Sequence, residues 1–246
     1  MEHIKQVYRS NYAGEKVVTK LTYRGGDWHP ETEYIENSVT NTYTTGQAIA
    51  IGNGESRLLF DLTHIVNHRG GLFGANRLQT YGCNALYRDF TPDFLIASGD
   101  KIIEEISASG YCNDNIVYAD GASILKHPGK FYLIPQGIQW DTGSLAAYMA
   151  CFDGHKKIFL IGYDNYHFPG IMNNVYKNTN GYSSITDTQD GTFWTMSLHK
   201  IMSTYTDVEF IKVMPTASEW TPPEITALIN FRQIGFRDFV LEADIG

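Results

Sequence analysis

The sequence predicts an α/β fold in which a mainly parallel sheet is covered by helices on both faces. Several short runs are apolar throughout, such as AIAIG (48–52) and KKIFLIGYD (156–164), as is typical of strands that are buried on both faces. These runs alternate along the chain with segments of helical character, which is the order found in parallel α/β sheets. The chain has 246 residues, of which 43% are hydrophobic, so it can form one large core.

Residues 1–46 have a different pattern and predict a β-rich N-terminal extension. KVVTKLTY (16–23) carries β-branched and aromatic residues, and Gly25-Gly26 marks a break in the pattern. We expect this extension to pair with the main domain or to cap it. The main, nucleotide-binding domain is then residues 47–246.

The first half of the main domain alternates strands with helices or turns. SRLLFDLTHIV (56–66) predicts a helix or a broken turn, and DKIIEEISASG (100–110) predicts an amphipathic helix that ends at Gly110. Four segments predict further strands, the first of which runs into a turn and a short helix: RLQTYGCNALY (77–87), PDFLIASG (92–99), NIVYAD (115–120) and KFYLIPQ (130–136).

The second half continues the alternation. TGSLAAYMACFDG (142–154) predicts a helix that begins at Thr142 and ends at Gly154, and TFWTMSLHKIMSTY (192–205) predicts another. DVEFIKVMP (207–215) predicts a late strand. The tail FRQIGFRDFVLEADIG (231–246) gives no decided prediction.

Composition excludes several classes of function. The net charge is −8 and the 19 Lys and Arg residues are dispersed, which argues against an extended nucleic-acid footprint. No run of about 18 apolar residues predicts a membrane span, and the first residues lack the apolar segment of a secretory signal. The three cysteines have no CxxC spacing, which favours reduced thiols in a cytoplasm.

Small and polar residues follow the predicted strands, and this is where parallel sheets bind ligands. Five strand ends or helix starts carry Gly, Asn, Ser, Thr or Asp: residues 52–57, 82–84, 98–100, 141–144 and 162–166. We therefore expect a ligand site along the carboxyl edge of the sheet.

The first of these loops, GNGES (52–56), is a candidate phosphate and sugar site. Its two glycines would let the backbone approach a ligand, and free amides at the next helix start favour a phosphate. Asn53, Gly54, Ser56 and the following Arg57 are the candidate binding residues. The loop is neither GxGxxG nor a P-loop, and the chain has no GxSxG nucleophile elbow, so an ordinary tight turn is the alternative.

Two further strand ends offer candidate binding residues. Asn84 could bind a ligand or cap a short helix. Asp100 could bind a ribose or a metal, act as a base, or cap the helix that it begins. Cys83 has no nearby residue that would serve as its base, so a nucleophilic role is disfavoured.

The helix that begins at Thr142 is the next candidate, because Thr142, Gly143 and Ser144 stand at its start. A helix N-terminus can hold an anion. The small residues of this helix would also let it pack closely on the sheet, which is the alternative explanation.

Candidate catalytic residues follow the most apolar strand. Asp164, Tyr166 and His167 stand together in GYDNYHF (162–168), where Tyr could steady a leaving phosphate and His could take a proton. The polar loop NNVYKNTNGY (173–182) is long enough for a lid. It adds three candidate binding residues: Asn174, Tyr176 and Lys177.

These motifs together resemble a Rossmann-like superfamily over about residues 47–214. It includes the single-domain bacterial sialyltransferases, the 6-hydroxymethylpterin diphosphokinase-like proteins and the motility-accessory glycosyltransferases. The chain is also similar to proteins of tailed marine bacteriophages in its N-terminal extension, in GCNALYRDF and PDFLIASGD, and in NNVYKNT. That similarity implies a location in a host cytoplasm.

The sialyltransferase resemblance implies roles for particular residues. In that family the corresponding loops bind a cytidine nucleotide sugar, and tyrosines assist phosphate departure. Asn53, Gly54 and Ser56 match the first loop, Asn84 matches the family asparagine, and Thr142 with Gly143 match the helix start. Tyr166 matches a leaving-group tyrosine.

The chain also departs from the sialyltransferase pattern. Glu55 replaces a proline, and ITDTQDGTFW (185–194) lacks the family histidine base. His167 is the substitute that we consider for that base.

The leading prediction is a nucleotide-sugar-dependent glycosyltransferase that uses a nucleotide-activated small-molecule donor and needs no cofactor. Its donor phosphate would lie across GNGES and the helix start at Thr142. One alternative is an Mg²⁺-dependent diphosphokinase acting on a small alcohol, with Asp100 and Asp164 as metal ligands. Another is a non-catalytic protein that binds a nucleotide or docks on a virion or host assembly. The acceptor and the oligomeric state stay open.

Overall fold

The N-terminal extension folds as a three-stranded antiparallel sheet. The structure, a computed structural model, describes residues 4–10, 15–36, 46–66, 78–135, 140–164, 173–183 and 191–246. Strands β1 (Ile4–Ser10), β2 (Glu15–Arg24) and β3 (Asp27–Glu36) pair in that order. The β2–β3 turn lies at Gly25-Gly26, where both glycines have positive φ, 61° and 92°. The β-rich character is confirmed, and in the described residues these strands form a sheet of their own.

The main domain contains an eight-stranded sheet in which every neighbouring pair is parallel. The predicted α/β, Rossmann-like fold class is thereby confirmed. Its strands are β4 (Gln47–Ile51), β5 (Gln79–Cys83), β6 (Phe94–Ile96), β7 (Ile116–Ala119), β8 (Tyr132–Leu133), β9 (Lys157–Ile161), β10 (Glu209–Met214) and β11 (Phe231–Gly235).

Seven α-helices are present in the described residues: α1 (Thr63–Val66), α2 (Asp100–Ser109), α3 (Gly121–Lys126), α4 (Thr142–Phe152), α5 (Gly191–Thr204), α6 (Pro223–Thr226) and α7 (Phe236–Glu242). Short 3-10 helices cover Glu55–Leu59, Asn84–Arg88 and Tyr111–Asn113. No helix in the described part of the chain is both long and apolar enough to cross a bilayer.

The strand order places a topological switch point beside β4. The order is β11-β10-β9-β4-β5-β6-β7-β8, so the chain runs from β4 to β8 in one direction and then returns to β9 on the other side of β4. Ile51 at the end of β4 pairs with Ile161 at the end of β9. The loops after these two residues therefore emerge side by side at the carboxyl edge, where such sheets bind ligands.

Helices cover both faces of this sheet. Ile49 and Ile51 belong to one core cluster with side chains of α2, α3 and α7. Ala48 and Ala50 belong to the opposite cluster with side chains of α4, α5 and α6. The alternation along β4 follows from the two-residue period of a strand.

Helix α4 is almost entirely buried against the sheet. Ten of its eleven residues are buried, and Ala146, Ala147 and Ala150 lie in the same cluster as Ala48 and Ala50. Small side chains on both elements permit this close approach, as the small-residue sequence of the helix predicts.

The structure specifies three segments that the sequence left open or predicted as longer. The predicted helix or broken turn at 56–66 is a 3-10 helix followed by the short α1, and of the predicted strand 130–136 only Tyr132–Leu133 form a strand in the described residues. The undecided tail contains strand β11 and helix α7. Pairing of β11 with β10 supplies hydrogen bonds that the local sequence cannot specify.

Candidate functional site

The glycines of the first loop serve contact between two strand-end loops. The Gly52 amide donates to the Ile161 carbonyl at 2.8 Å, and the Gly54 amide donates to the Gly162 carbonyl at 2.9 Å. A Cβ on Gly52 would lie 2.5 Å from the Gly162 oxygen, and one on Gly54 would lie 2.6 Å from Cγ of Asp164. Both glycines therefore have a packing role, and the expectation that they let the backbone approach a ligand stays a prediction.

Asp164 joins the same two loops through its carboxylate. The side chain is buried, with 4% exposure. It accepts hydrogen bonds from the Ser56 amide at 3.1 Å, from the Ser56 hydroxyl and from Nδ2 of Asn173 at 2.9 Å. Asp164, a candidate catalytic residue from the sequence, is thus an anchor for the first loop in this geometry.

The polar groups of Ser56 are already hydrogen-bonded within the protein. Its amide and its hydroxyl both donate to Asp164, and the neighbouring Glu55 amide donates to Oδ1 of Asn173 at 2.9 Å. Backbone amides at the start of a helix attract anions, and here the anion is a carboxylate of the same chain. The first loop is therefore filled where a donor phosphate was expected.

A second polar network links the ends of β5 and β6 to the start of α4. Nδ2 of Asn84 donates to the Thr142 hydroxyl at 3.2 Å, and Oδ1 of Asn84 accepts from the Ser98 amide at 2.9 Å. The hydroxyls of Ser98 and Thr142 are 2.5 Å apart. Asn84 has a positive φ of 48°, a conformation that asparagine tolerates better than most residues. The predicted neighbours Asn84 and Thr142 do meet, and Ser98 joins them.

Asn53 extends this network to β4. Its Nδ2 donates to the Cys83 carbonyl at 3.3 Å and to the Tyr182 hydroxyl at 3.4 Å. Its Oδ1 is buried and accepts no hydrogen bond from the residues that the structure describes, which is costly for a polar atom. Burial raises the pKa of the Cys83 thiol to about 12, so this cysteine is an unreactive core residue.

The start of α4 is capped by Asp141 rather than by Thr142. Oδ1 of Asp141 accepts from the Ser144 amide at 2.9 Å, whereas its Oδ2 is buried and has no partner within the described ranges. Burial raises the pKa of this carboxyl. Gly143 accepts a hydrogen bond of 2.6 Å from the Tyr163 hydroxyl. Gly143 and Ser144 therefore make hydrogen bonds to Tyr163 and Asp141. Of the three candidate residues at this helix start, Thr142 is the one that joins the polar network with Asn84 and Ser98.

Arg57 is a buried cation beneath the edge. Its side chain is 3% exposed and forms an ion pair with Asp89 at 3.5 Å. It also donates to the Tyr176 hydroxyl at 2.7 Å, and that hydroxyl donates to Asp89. The guanidinium groups of Arg57 and Arg88 lie 5.3 and 5.6 Å from the centre of the Tyr176 ring. Burial raises the pKa of Tyr176, which keeps its hydroxyl protonated.

Residues 173–183, called the cover segment below, pack across the ends of β4 and β5. The Val175 amide donates to the Asn53 carbonyl at 2.9 Å, and Lys177 pairs with Glu55 at 2.5 Å. Oδ1 of Asn174 accepts from the Tyr176 amide at 2.9 Å, so Asn174 stabilises a local turn. The segment that we considered as a lid thus packs on the carboxyl edge of the sheet. Lys177 is exposed at the rim of this segment.

Three candidates stand apart from this arrangement. Asp100 is exposed in the first turn of α2, and the N-cap residue of that helix is Gly99. Tyr166 and His167 lie outside the described residues. Within those residues, no group of three or more His, Cys, Asp or Glu side chains could hold a metal ion.

Lys212 is a site residue that the sequence analysis missed. It lies in the apolar strand β10 and is 1% exposed. Its Nζ donates to the Thr221 hydroxyl at 2.8 Å and to the Asp164 carbonyl at 3.3 Å. Burial lowers its pKa to about 8. The sequence feature that could have identified Lys212 is a single lysine among the apolar residues of EFIKVM (209–214). The same pattern is also typical of a half-exposed strand.

The comparisons with known proteins give no relative for this chain. No family model, no curated protein and no solved structure matches it. The function is therefore argued from the geometry of the carboxyl edge.

Proposed function

We propose that the protein is a nucleotide-sugar-dependent glycosyltransferase whose donor binds at the carboxyl edge, between β4, β5, β6 and the start of α4. One observation carries the proposal: Asn53, Asn84, Ser98 and Thr142 converge there from four separate segments. This edge lies at the topological switch point, the usual ligand site of open parallel sheets. Amides and hydroxyls are suited to a ribose, a base edge or a phosphate.

The occupied first loop determines where the donor phosphate lies in this proposal. Ser56 is engaged by Asp164, so the phosphate lies nearer Ser98 and Thr142. Lys177, exposed at the rim of the cover segment and paired with Glu55, supplies a positive charge.

Catalysis in this proposal depends on positioning and on stabilising the leaving group. The acceptor hydroxyl attacks the anomeric carbon while the bond from that carbon to the phosphate oxygen breaks. His167 takes the acceptor proton, and Tyr166 with Lys177 stabilises the departing phosphate. Tyr166 and His167 follow Asp164 by two and three residues in the chain, so the Asp164 anchor sets where their segment begins.

Thr142→Val tests the donor site because it removes one hydroxyl and keeps the side-chain shape. A panel of nucleotide sugars is screened by thermal shift, and the affinity of the best stabiliser is measured by calorimetry. Loss of a hydrogen bond to the donor should weaken its binding about five- to tenfold.

Thr204→Val is the matched control. Thr204 ends α5, which precedes β10, and its hydroxyl donates to the Lys200 carbonyl within the same helix. This variant should bind the donor as the wild type does. If no nucleotide sugar stabilises the wild type at about millimolar concentration, the glycosyltransferase proposal is wrong.

A non-catalytic nucleotide-binding protein is the second candidate, because Asp164 and Tyr176 are both committed to bonds within the protein. Such a protein would bind the same donor and leave it unchanged. Prolonged incubation with donor and an acceptor panel, followed by mass spectrometry, separates the two functions. Release of free nucleotide would support the transferase.

A further inference from the structure

Lys212 is an unusual residue for its position. It is 1% exposed, and its neighbours in β10, Phe210, Ile211, Val213 and Met214, are all buried. A buried ammonium loses its hydration, and an apolar side chain of similar length would fill the same volume without that cost. The lysine therefore requires an explanation in what its amine contacts.

The amine is the centre of a chain of hydrogen bonds that crosses four neighbouring strands. Oε1 of Gln233 on β11 accepts from the Thr221 hydroxyl at 2.6 Å. Thr221 accepts from Lys212 on β10, which also donates to the Asp164 carbonyl after β9. The Asp164 carboxylate then binds Ser56 in the loop after β4. This series of hydrogen bonds ends at the switch point beside β4.

The charged groups that face Lys212 come from two loops. Asp164 approaches from the end of β9, and Glu219 approaches from the segment after β10. Both carboxylates favour the charged amine, whereas burial disfavours it and lowers the pKa of Lys212 to about 8. Thr221 and the β11 side chain Gln233 are neutral.

We propose that Lys212 is a positioning residue of the switch-point site. Its amine holds the carboxyl end of β9 so that the Asp164 carboxylate meets the amide and hydroxyl of Ser56. The first loop then takes the shape that places Asn53 beside β5. Only the ligand measurement below depends on the proposed function, because the loop geometry can be tested without any ligand.

Hydrogen exchange at the Ser56 amide is the direct test. Lys212→Met keeps the volume of the side chain and removes the donor, so exchange at Ser56 should rise by about tenfold. Thr221→Val removes one partner of the amine and should give a smaller rise in the same amide. It also provides a second measurement if Lys212→Met fails to fold.

Lys156→Met is the matched control, because the Lys156 amine is largely exposed and pairs with Asp207. This variant should leave Ser56 exchange unchanged. If both Lys212→Met and Thr221→Val also leave it unchanged, Lys212 is only a packing residue and the proposal is overturned.

The pH profile separates positioning from general stability. The pKa of Lys212 in the closed loop is lowered to about 8, so opening that frees the amine takes up a proton and becomes less favourable as pH rises. The ratio of Ser56 exchange rates between Lys212→Met and wild type should therefore increase from about pH 7 to about pH 9. A ratio that is constant with pH would contradict the coupling of the amine to the loop.

Nucleotide affinity provides the last readout. The best donor of the panel should bind Lys212→Met more weakly than wild type. If no donor binds the wild type, the proposed function fails, whereas the exchange result still decides the role of Lys212.

Discussion

At the residue scale, the Asp164 carboxylate determines the local chemistry of the switch point. It satisfies the Ser56 amide, the Ser56 hydroxyl and Asn173, and its backbone carbonyl accepts from Lys212. Removing one partner of a buried network leaves the others desolvated and unpaired, which costs more than the bonds themselves contribute. Asp164 should therefore contribute strongly to stability as well as to the shape of the site.

Asp164→Ala should lower the free energy of unfolding by about 2 to 4 kcal/mol, because it leaves buried donors and the Lys212 charge uncompensated. Urea denaturation monitored by fluorescence measures this change. Asp100→Asn is the control, since Asp100 is exposed and outside the network, and its effect should stay within about 0.5 kcal/mol. Equal effects of the two variants would contradict the anchoring role.

Lys212 should give stability a specific dependence on pH. Its pKa of about 8 in the folded protein is below the ordinary 10.5, so between these values the unfolded chain binds more protons than the folded one. Stability of the wild type relative to Lys212→Met should therefore rise with pH across this range, by up to about 3 kcal/mol. Denaturation curves of both proteins at several pH values measure the difference. A difference that falls with increasing pH would be inconsistent with the buried amine.

At the element scale, α4 combines almost complete burial with an aspartate cap. Ten of its eleven residues are buried, and Asp141 caps its N-terminus with one oxygen while the other has no partner among the described residues. The helix dipole favours the carboxylate, whereas burial opposes it and raises its pKa. The cap and its charge therefore have opposite effects on stability.

Asp141→Asn should separate these two effects, because asparagine is about as good an N-cap as aspartate. The raised pKa means that the folded protein binds the proton more tightly than the unfolded chain. Wild-type stability relative to Asp141→Asn should therefore decrease as pH rises above the ordinary aspartate range.

Thermal melting at acidic and at neutral pH measures that difference. Asp141→Ala is the control, because it loses the cap itself and should lose about 1 kcal/mol of stability. If the asparagine variant is as unstable as the alanine variant at neutral pH, the charge of Asp141 stabilises the helix.

At the scale of the whole molecule, the strand order brings distant segments to one edge. Residues after β4, β5, β6 and β9 meet there, and the cover segment packs across them. The Lys177–Glu55 ion pair is partly exposed and links the cover segment to the first loop. If the proposed donor binds beneath this segment, its phosphate competes with Glu55 for Lys177.

Glu55→Gln should release Lys177 and tighten donor binding by about two- to fivefold, which corresponds to the free energy of an exposed ion pair. Stability should change by less than about 0.5 kcal/mol, since surface pairs contribute little. Calorimetric titration of the best donor measures the affinity. Weaker binding in this variant would mean that Glu55 contacts the donor or orders the cover segment.

The sequence by itself determined the fold class and the edge that carries the candidate site. Continuous apolar runs specify buried parallel strands because burial on both faces leaves no room for polar residues. The carboxyl-edge rule then placed Asn53, Asn84 and Thr142 together, and the structure confirms their proximity. These predictions depend on local pattern and on a general property of parallel sheets.

Only the tertiary structure decided what the individual polar groups bond to. That β9 lies beside β4 determines that Asp164 reaches Ser56 and that Gly52 contacts Gly162. That β10 pairs with β9 on its other side determines that Lys212 contacts the loop after β9. A sequence shows which residues can donate or accept a hydrogen bond. Their partners come from strand order and register, which arise from contacts between residues more than a hundred positions apart, such as Ser56 and Asp164.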